Sequence, residues 1–176
     1  PRTVEKLLEY PFNGTAFSGR LWKQKDHLQS QLMEAVTTML IQGRHPKTLA
    51  ADFAKKMQSK KFDAYRLLHT ESSFLMGEAT HAGYKEDGVE KYQILATLDS
   101  KTCGVCGELD GNVYEVGKEV VGVNMPPFHP LCRCTDIPYY DDMDPSDMPR
   151  AARDADGNYI SIPGDMTYTE WKKKYI

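Results

Sequence analysis

Two short stretches, "TCGVCGELDG" at 102–111 and "HPLCRCT" at 129–135, contain all four cysteines of this chain and one of its five histidines. The first holds a C-x2-C pair and the second holds H-x2-C-x-C, with twenty-two residues between the last cysteine of the first and the histidine of the second. Zinc is usually bound by four thiolate or imidazole ligands, offered as two close pairs with a loop between them. The spacing therefore predicts a structural metal site.

Backbone geometry selects the preferred ligands within these stretches. Glycines at 104 and 107 permit a tight turn that directs the first two sulfurs to one side. If "RCTDI" is already a strand, the sulfurs of Cys132 and Cys134 point to opposite faces, so only one of them needs to bind. The predicted ligands are Cys103, Cys106, His129 and Cys132, and Cys134 is the main variant, in place of His129 or Cys132.

Two other interpretations of the cysteines stay open. Two disulfides would cross-link the same loops in an oxidising compartment, and Cys134 would be a small buried apolar residue if it binds nothing. Four protein ligands leave no open position for water, so a zinc site of this kind argues against catalysis.

Bulk composition bounds the class of protein. A chain of 176 residues with 40% hydrophobic content forms one domain, with or without appendages, and can bury a core. A net charge of −3 gives no general attraction to nucleic acid or anionic membranes. Because no apolar run or signal peptide is evident, we expect an intracellular chain, in which paired thiols favour a metal over disulfides. Since the sequence starts at Pro1 rather than at Met, we expect it to be part of a longer chain.

Hydrophobic periodicity predicts helices in the first half, residues 1–89. A short helical patch lies at residues 4–8, and the clearest helix covers 26–42. Another helix opens at Pro46, and a further one runs from about 62 to 81, where "HAGYKEDG" breaks it.

The pattern changes at residue 90. Strands are predicted in "KYQILATLDS", "GNVYEV" and "CTDIPYY", which gives a small β-rich unit over 90–140. Residues 141–176 form an extended tail with a hairpin at Asp156-Gly157 and a terminal helical turn. The predicted fold class is α+β, in which the helical half packs on a small antiparallel β-unit with a Cys/His cluster.

Two polar stretches have both a functional and a structural interpretation. The "YRLLHTESSF" helix (65–74) is either a polar site or a buried network with intrahelical pairs. The "KKMQSKK" stretch supplies candidate phosphate contacts, although a solvated helix face explains it as well because no aromatic residues are interleaved. The lysines in question are Lys55, Lys56, Lys60 and Lys61.

In order, "RLLHTE", "ATLDSKTCGVCGELDGNVY" and "PPFHPLCRCTDIPYY" resemble the phage head-morphogenesis, or Mu F-like, minor head protein family, in its Gram-positive phage branch. The motif positions outside the metal ligands form a structural polar motif: Arg66, Thr70, Glu71, Asp99, Asp110, Gly111 and Arg133. The resemblance implies a structural role in head morphogenesis at the portal vertex and in DNA packaging or delivery. It also implies the portal and other head proteins as partners, with packaged DNA as a further candidate.

The same resemblance implies a location in the virion, in the capsid interior or at the portal vertex, and in the host cytoplasm during assembly. It implies neither a membrane partner nor a small-molecule substrate.

Two alternatives belong to other classes of protein. One is an ADP-ribosyltransferase-like enzyme or toxin-associated domain acting on NAD, since members of the family occur fused to toxin domains. It would need Arg66, Ser72 or Ser73, and Glu108 or Glu119. In that fold the arginine and serine lie on strands, whereas this stretch predicts a helix. The other alternative, a DNA-binding zinc module, would act through the lysine helix despite the net negative charge.

Overall fold

Helices make up most of the described chain before residue 87. The structure, a computed structural model, describes residues 11–12, 15–16, 26–56 and 61–176. The helical patch predicted at residues 4–8 and the candidate Lys60 lie outside these residues. Two short antiparallel strands come first, β1 (Pro11–Phe12) and β2 (Thr15–Ala16). The helices that follow are α1 (Asp26–Gln42), α2 (Pro46–Lys56) and α3 (Lys61–Glu86).

Helix α1 has the predicted bounds because its apolar spacing and its terminator agree. Leu32, Val36 and Met39 follow the helical repeat and are at most 3% exposed. Gly43 adopts a left-handed φ of 61°, and the N–H of Arg44 donates to the carbonyl of Met39 at 3.1 Å. This is the bond pattern of a helix end closed by glycine.

Helix α3 ends five residues later than predicted. Gly83 does not break it, since the helix continues through Tyr84, which is 9% exposed and packs with Val89. The terminator is Gly88, with φ 71°, and the N–H of Val89 donates to the carbonyl of Tyr84 at 2.9 Å. The prediction of an end at residue 81 was wrong because the break within "HAGYKEDG" comes at its last residue, Gly88, and not at its start.

A three-stranded antiparallel sheet follows, built from β3 (Lys91–Leu95), β4 (Val113–Glu115) and β5 (Thr135–Tyr139) in the order β4-β3-β5. A short helix, α4 (Gly104–Leu109), lies between β3 and β4. Tyr92 and Ile94 of β3 are fully buried.

The last segment carries the predicted hairpin and helix. A 3-10 turn (Pro145–Asp147) precedes β6 (Pro149–Arg153) and β7 (Tyr159–Pro163), which pair antiparallel around Gly157 at φ 85°. Helix α5 (Tyr168–Tyr175) follows. The hairpin and α5 share a core cluster with the chain after β3: Leu98, Ala152, Ile162, Tyr168 and Trp171.

The contacts divide the chain into two compact units. The helical unit contains the described residues up to Gly83 together with His129–Cys132, and the β-unit contains Tyr84–Phe128 and Arg133–Ile176. The α+β class, with a helical first half and small antiparallel sheets, is confirmed. The three regions predicted from sequence, with boundaries at residues 89 and 140, stay a prediction. Among the described helices, none combines the length and apolar composition that a membrane span needs.

Candidate metal centre

The first donor pair, Cys103 and Cys106, lies at the start of α4. Cys103 is the N-cap residue, and its Sγ accepts a hydrogen bond from the N–H of Cys106 at 3.5 Å. The N–H of Gly107 donates to the carbonyl of Cys103 at 3.0 Å, which closes the turn. Cys106 is 3% exposed, whereas Cys103 is exposed. The local backbone therefore presents both sulfurs together, as the C-x2-C spacing predicts.

The second donor pair lies on a turn that Thr70 holds in place. The N–H of Cys132 donates to the carbonyl of His129 at 3.1 Å, and Leu131 between them has a φ of 60°. A left-handed conformation costs a branched residue about 1–2 kcal/mol, so surrounding contacts must hold it. One such contact is made by Thr70, whose Oγ1 accepts the N–H of Leu131 at 3.1 Å and donates to the carbonyl of Arg66 at 2.7 Å.

The imidazole of His129 is oriented by its own turn. Nδ1 lies 2.8 Å from the carbonyl oxygen of Pro130. A carbonyl can only accept, so Nδ1 carries the proton and the lone pair is on Nε2. Histidine ligands of zinc are commonly fixed in this way, with one ring nitrogen donating to a backbone carbonyl and the other facing the metal.

The five candidate donors form two groups of three that share Cys106. One group is Cys103, Cys106 and His129, and the other is Cys106, Cys132 and Cys134; within each, the ligand atoms lie within 4.8 Å of one another. None of the four cysteines forms a disulfide in this structure. Strand geometry would direct the sulfurs of Cys132 and Cys134 to opposite faces. It does not apply here, because β5 begins only at Thr135. Both sulfurs thus approach Cys106.

Such a donor set suits a particular class of ion. Thiolate and imidazole together favour zinc and other borderline or soft metals over magnesium or calcium, which prefer oxygen. The N–H of Cys106 that donates to the Sγ of Cys103 and the carbonyl of Pro130 next to His129 Nδ1 orient the donors, as hydrogen bonds to metal ligands commonly do. The residues present therefore fit a structural metal ion.

Asp99 and Arg133 form a forked ion pair next to the cysteines. Arg133 donates from Nη1 to Oδ2 at 2.5 Å and from Nη2 to Oδ1 at 2.8 Å, and Asp99 also accepts the N–H of Lys101 at 2.9 Å. The hydrogen bond from Arg133 lowers the pKa of the Asp99 carboxyl. The same bond raises the pKa of the Arg133 guanidinium.

Asp110 of the polar motif has several charged and hydrogen-bonding partners. Its side chain is 0% exposed and forms a two-point ion pair with Arg150, at 2.6 Å to Oδ1 and 3.0 Å to Oδ2. Oδ1 also accepts the N–H of Ala96 at 2.6 Å, and Oδ2 accepts the N–H of Tyr168 at 2.7 Å. Gly111, which follows it, has a left-handed φ of 82° and donates its N–H to the carbonyl of Ile94 at 2.9 Å.

Sequence reasoning missed two of the residues that support this site, Arg150 and Tyr168. Arg150 lies on the same face of β6 as the buried Ala152, so the strand alternation of "PRAAR" placed a charge toward the interior. An inward arginine needs a buried carboxylate. The strand alternation therefore indicated a buried partner for Arg150, but that partner, Asp110, lies forty residues away in the chain.

The other predicted positions lie on the helices. Thr70 and Glu71 are 7% and 4% exposed, and Arg66 is exposed and pairs with Asp63 at 3.7 Å. Of the candidate phosphate contacts, Lys55, Lys56 and Lys61 are exposed. Lys55 and Lys56 line a cavity of about 390 Å³ between α1 and α2 that also contains Glu34 and Asp52.

Comparison with known proteins decides the family. A family model described as "Phage Mu protein F like protein" matches residues 30–137, which contain both donor pairs and the polar motif. The chain belongs to this family. The resemblance noted in the sequence is thereby confirmed, and membership makes the chain, in broad terms, a phage head protein.

Two curated relatives align with the chain. One is "NAD(+)--arginine ADP-ribosyltransferase EFV" of Enterococcus faecalis (strain ATCC 700802 / V583), 28% identical over 81% of this chain and 32% of the relative. The other, of Haemophilus influenzae (strain ATCC 51907 / DSM 11121 / KW20 / Rd), carries the name "Uncharacterized protein" and is 28% identical over 66% of this chain and 25% of the relative. The chain thus spans about a third of the length of the first relative and about a quarter of the length of the second. No solved structure matches the chain significantly.

We predict that Asp110→Asn lowers the free energy of unfolding by about 3–5 kcal/mol, because the buried guanidinium of Arg150 loses its charge partner. Asp141→Asn is the matched control, since Asp141 and its partner Lys91 are 74% and 36% exposed and such pairs contribute little. Urea denaturation of both variants measures the difference. Equal, small effects of the two substitutions would contradict a structural role for Asp110.

Proposed function

We propose that the chain is a structural minor head protein that acts at the portal vertex during head morphogenesis and in DNA packaging or delivery. Family membership supports the head role. The portal and other head proteins are the proposed partners, and the virion, with the host cytoplasm during assembly, is the proposed location.

The structural role is supported chiefly by the ion pairs and hydrogen bonds of two carboxylates of the polar motif, Asp110 and Asp99. A general acid or base needs a lone pair that reaches a substrate. Asp110 has both oxygens engaged by Arg150 and by two backbone N–H groups, with no exposed side-chain surface. Asp99 is similarly engaged by Arg133 and Lys101. These two carboxylates therefore hold chain segments together.

A structural zinc ion is the second part of the proposal. The proposed ligands are Cys103, Cys106, His129 and Cys132, with Cys134 as the variant. When bound, zinc would supply folding free energy by cross-linking short loops that bury little apolar surface of their own. The two pre-formed turns and the Nε2 lone pair of His129 support this assignment.

The enzymatic alternative rests on the ADP-ribosyltransferase named among the relatives. This chain aligns with 32% of that protein, so its activity can reside in the remainder. Within this chain, Arg66 and Ser72 lie on α3 rather than on strands. Glu119 is occupied by Lys85 and the N–H of Gly117. Nicotinamide release from NAD by the purified chain would favour this alternative.

DNA contact by the lysines is a weaker part of the proposal. Lys55 and Lys56 are exposed in the last turn of α2. Glu34 and Asp52 line the same cavity and partly cancel their charge toward phosphate. Protein partners in the head are therefore favoured over DNA as the main contact.

We predict that the chain, co-expressed with the portal and major capsid proteins of its phage, co-sediments with the assembled particles. Particles made without the portal are the control, and they should lack the chain. Sedimentation followed by protein quantification measures the copy number. Recovery of the chain outside both kinds of particle would contradict the portal role.

We also predict one zinc per chain after purification under reducing conditions, with thiols that react only after a chelator is added. Because Cys132 is buried whereas Cys134 is only partly buried, Cys132→Ser should lose the zinc and Cys134→Ser, two residues away, should retain it. Elemental analysis with thiol titration measures both. Metal-free protein with four reactive thiols would exclude the proposed zinc site. Loss of zinc in Cys134→Ser and its retention in Cys132→Ser would make Cys134 the ligand.

A further inference from the structure

We propose that Tyr168 of helix α5 is a positioning residue for the Cys103–Cys106 donor pair, so that metal affinity depends on a helix more than sixty residues further along the chain. This inference rests on the proposed zinc site. It assigns to the C-terminal helix a role that its sequence, predicted as the end of an extended tail, did not indicate.

The ring of Tyr168 lies directly on the backbone of the donor turn. A Cβ placed on Gly107 would lie 2.2 Å from Cδ1 and 2.4 Å from Cε1 of this ring. Only glycine permits so close an approach. Gly107 follows Cys106 immediately, so the ring closes the space on that side of the donor pair.

The hydroxyl of the same side chain holds the other side of the turn. Tyr168 Oη donates to the carbonyl of Thr102 at 3.1 Å, and Thr102 immediately precedes Cys103. One rigid side chain therefore contacts the residue before the first sulfur ligand and the residue after the second. The donor pair lies between these two contacts.

Tyr168 is itself fixed from several directions. Its N–H donates to the buried carboxylate of Asp110 at 2.7 Å. Thr167 and Glu170 form a capping box that sets the start of α5. Trp171, one turn on, is fully buried and donates its Nε1–H to the carbonyl of Arg153 at 3.0 Å. A side chain held so firmly can impose its position on a neighbouring turn.

The donor turn needs such support because α4 has only six residues. Helices of this length are not stable alone, since nucleation costs more than a few hydrogen bonds return. Residues that orient metal ligands from outside the first coordination shell typically change metal affinity about 10- to 100-fold when they are altered. We expect Tyr168 to act on this scale.

Two glycines of the same short helix provide a matched test. Gly107→Ala forces the ring of Tyr168 away, whereas a Cβ on Gly104 meets nothing within 4 Å. We expect Gly107→Ala to weaken Zn²⁺ binding about 10- to 100-fold and Gly104→Ala to leave it unchanged. Competition with a chromophoric chelator, using the full chain under reducing conditions, measures the affinity.

Substitutions of Tyr168 complete the test. Tyr168→Phe keeps the ring and removes only the bond to Thr102, so we expect a smaller loss than for Gly107→Ala. Tyr168→Ala should weaken binding as Gly107→Ala does, and the double variant should lose no more than either alone, because both remove the same contact. Co²⁺ bound in place of Zn²⁺ should show an altered ligand-field spectrum in Gly107→Ala, which a general loss of stability would not produce.

Each result has a definite meaning. Wild-type affinity and an unchanged Co²⁺ spectrum in Gly107→Ala and in the Tyr168 variants would overturn the positioning role and leave the zinc site standing. If Gly107→Ala does not fold, the Zn²⁺ affinity and Co²⁺ spectrum of Tyr168→Phe are compared with those of wild type. No difference in either would overturn the positioning role. A wild-type chain that binds neither ion would overturn the proposed zinc site itself, and this inference with it.

Discussion

The β-unit depends on one buried carboxylate. Asp110 receives the N–H of Ala96 just after β3, the guanidinium of Arg150 in β6 and the N–H of Tyr168 at the start of α5. A buried charge is costly unless it is fully paired, so none of these partners is dispensable. The carboxylate therefore requires the sheet, the hairpin and the last helix to be in place together. Residues far apart in the chain become one unit around this group.

In the candidate metal centre, too, residues distant in the chain hold short segments in place. Its donors lie on turns too short to hold themselves, and each turn is fixed by a residue from elsewhere in its own unit. Thr70 of α3 holds the turn that carries His129, and Tyr168 of α5 lies on the turn that carries Cys106. Thr70, Asp99, Asp110 and Arg133 of the polar motif thus form structural contacts, and the turn that Thr70 holds carries a candidate donor.

The features that could be predicted from sequence are those that local signals decide. Helix α1 matches its prediction because apolar spacing and Gly43 agree on its end. The hairpin at Gly157 follows from a turn residue that tolerates a positive φ. The proximity of Cys103 to Cys106 was predictable because C-x2-C is itself a local geometry, and the other four candidate donors all lie close to Cys106.

Other features depend on distant contacts and could not be predicted in this way. The continuation of α3 past Gly83 depends on the burial of Tyr84 among residues of the sheet. The approach of Cys134 to Cys106 depends on the residue at which β5 begins. Arg150 was overlooked because its partner is remote, although the alternation of β6 indicated an inward charge.

Native-state hydrogen exchange at the amides of Ala96 and Tyr168 would show whether the β-unit unfolds as one around Asp110. Both amides donate to Asp110, so we expect them to exchange only when the whole β-unit unfolds, with the free energy measured for that unfolding. Exchange of either amide through a local opening, at the rate of amides in exposed loops, would contradict this shared dependence.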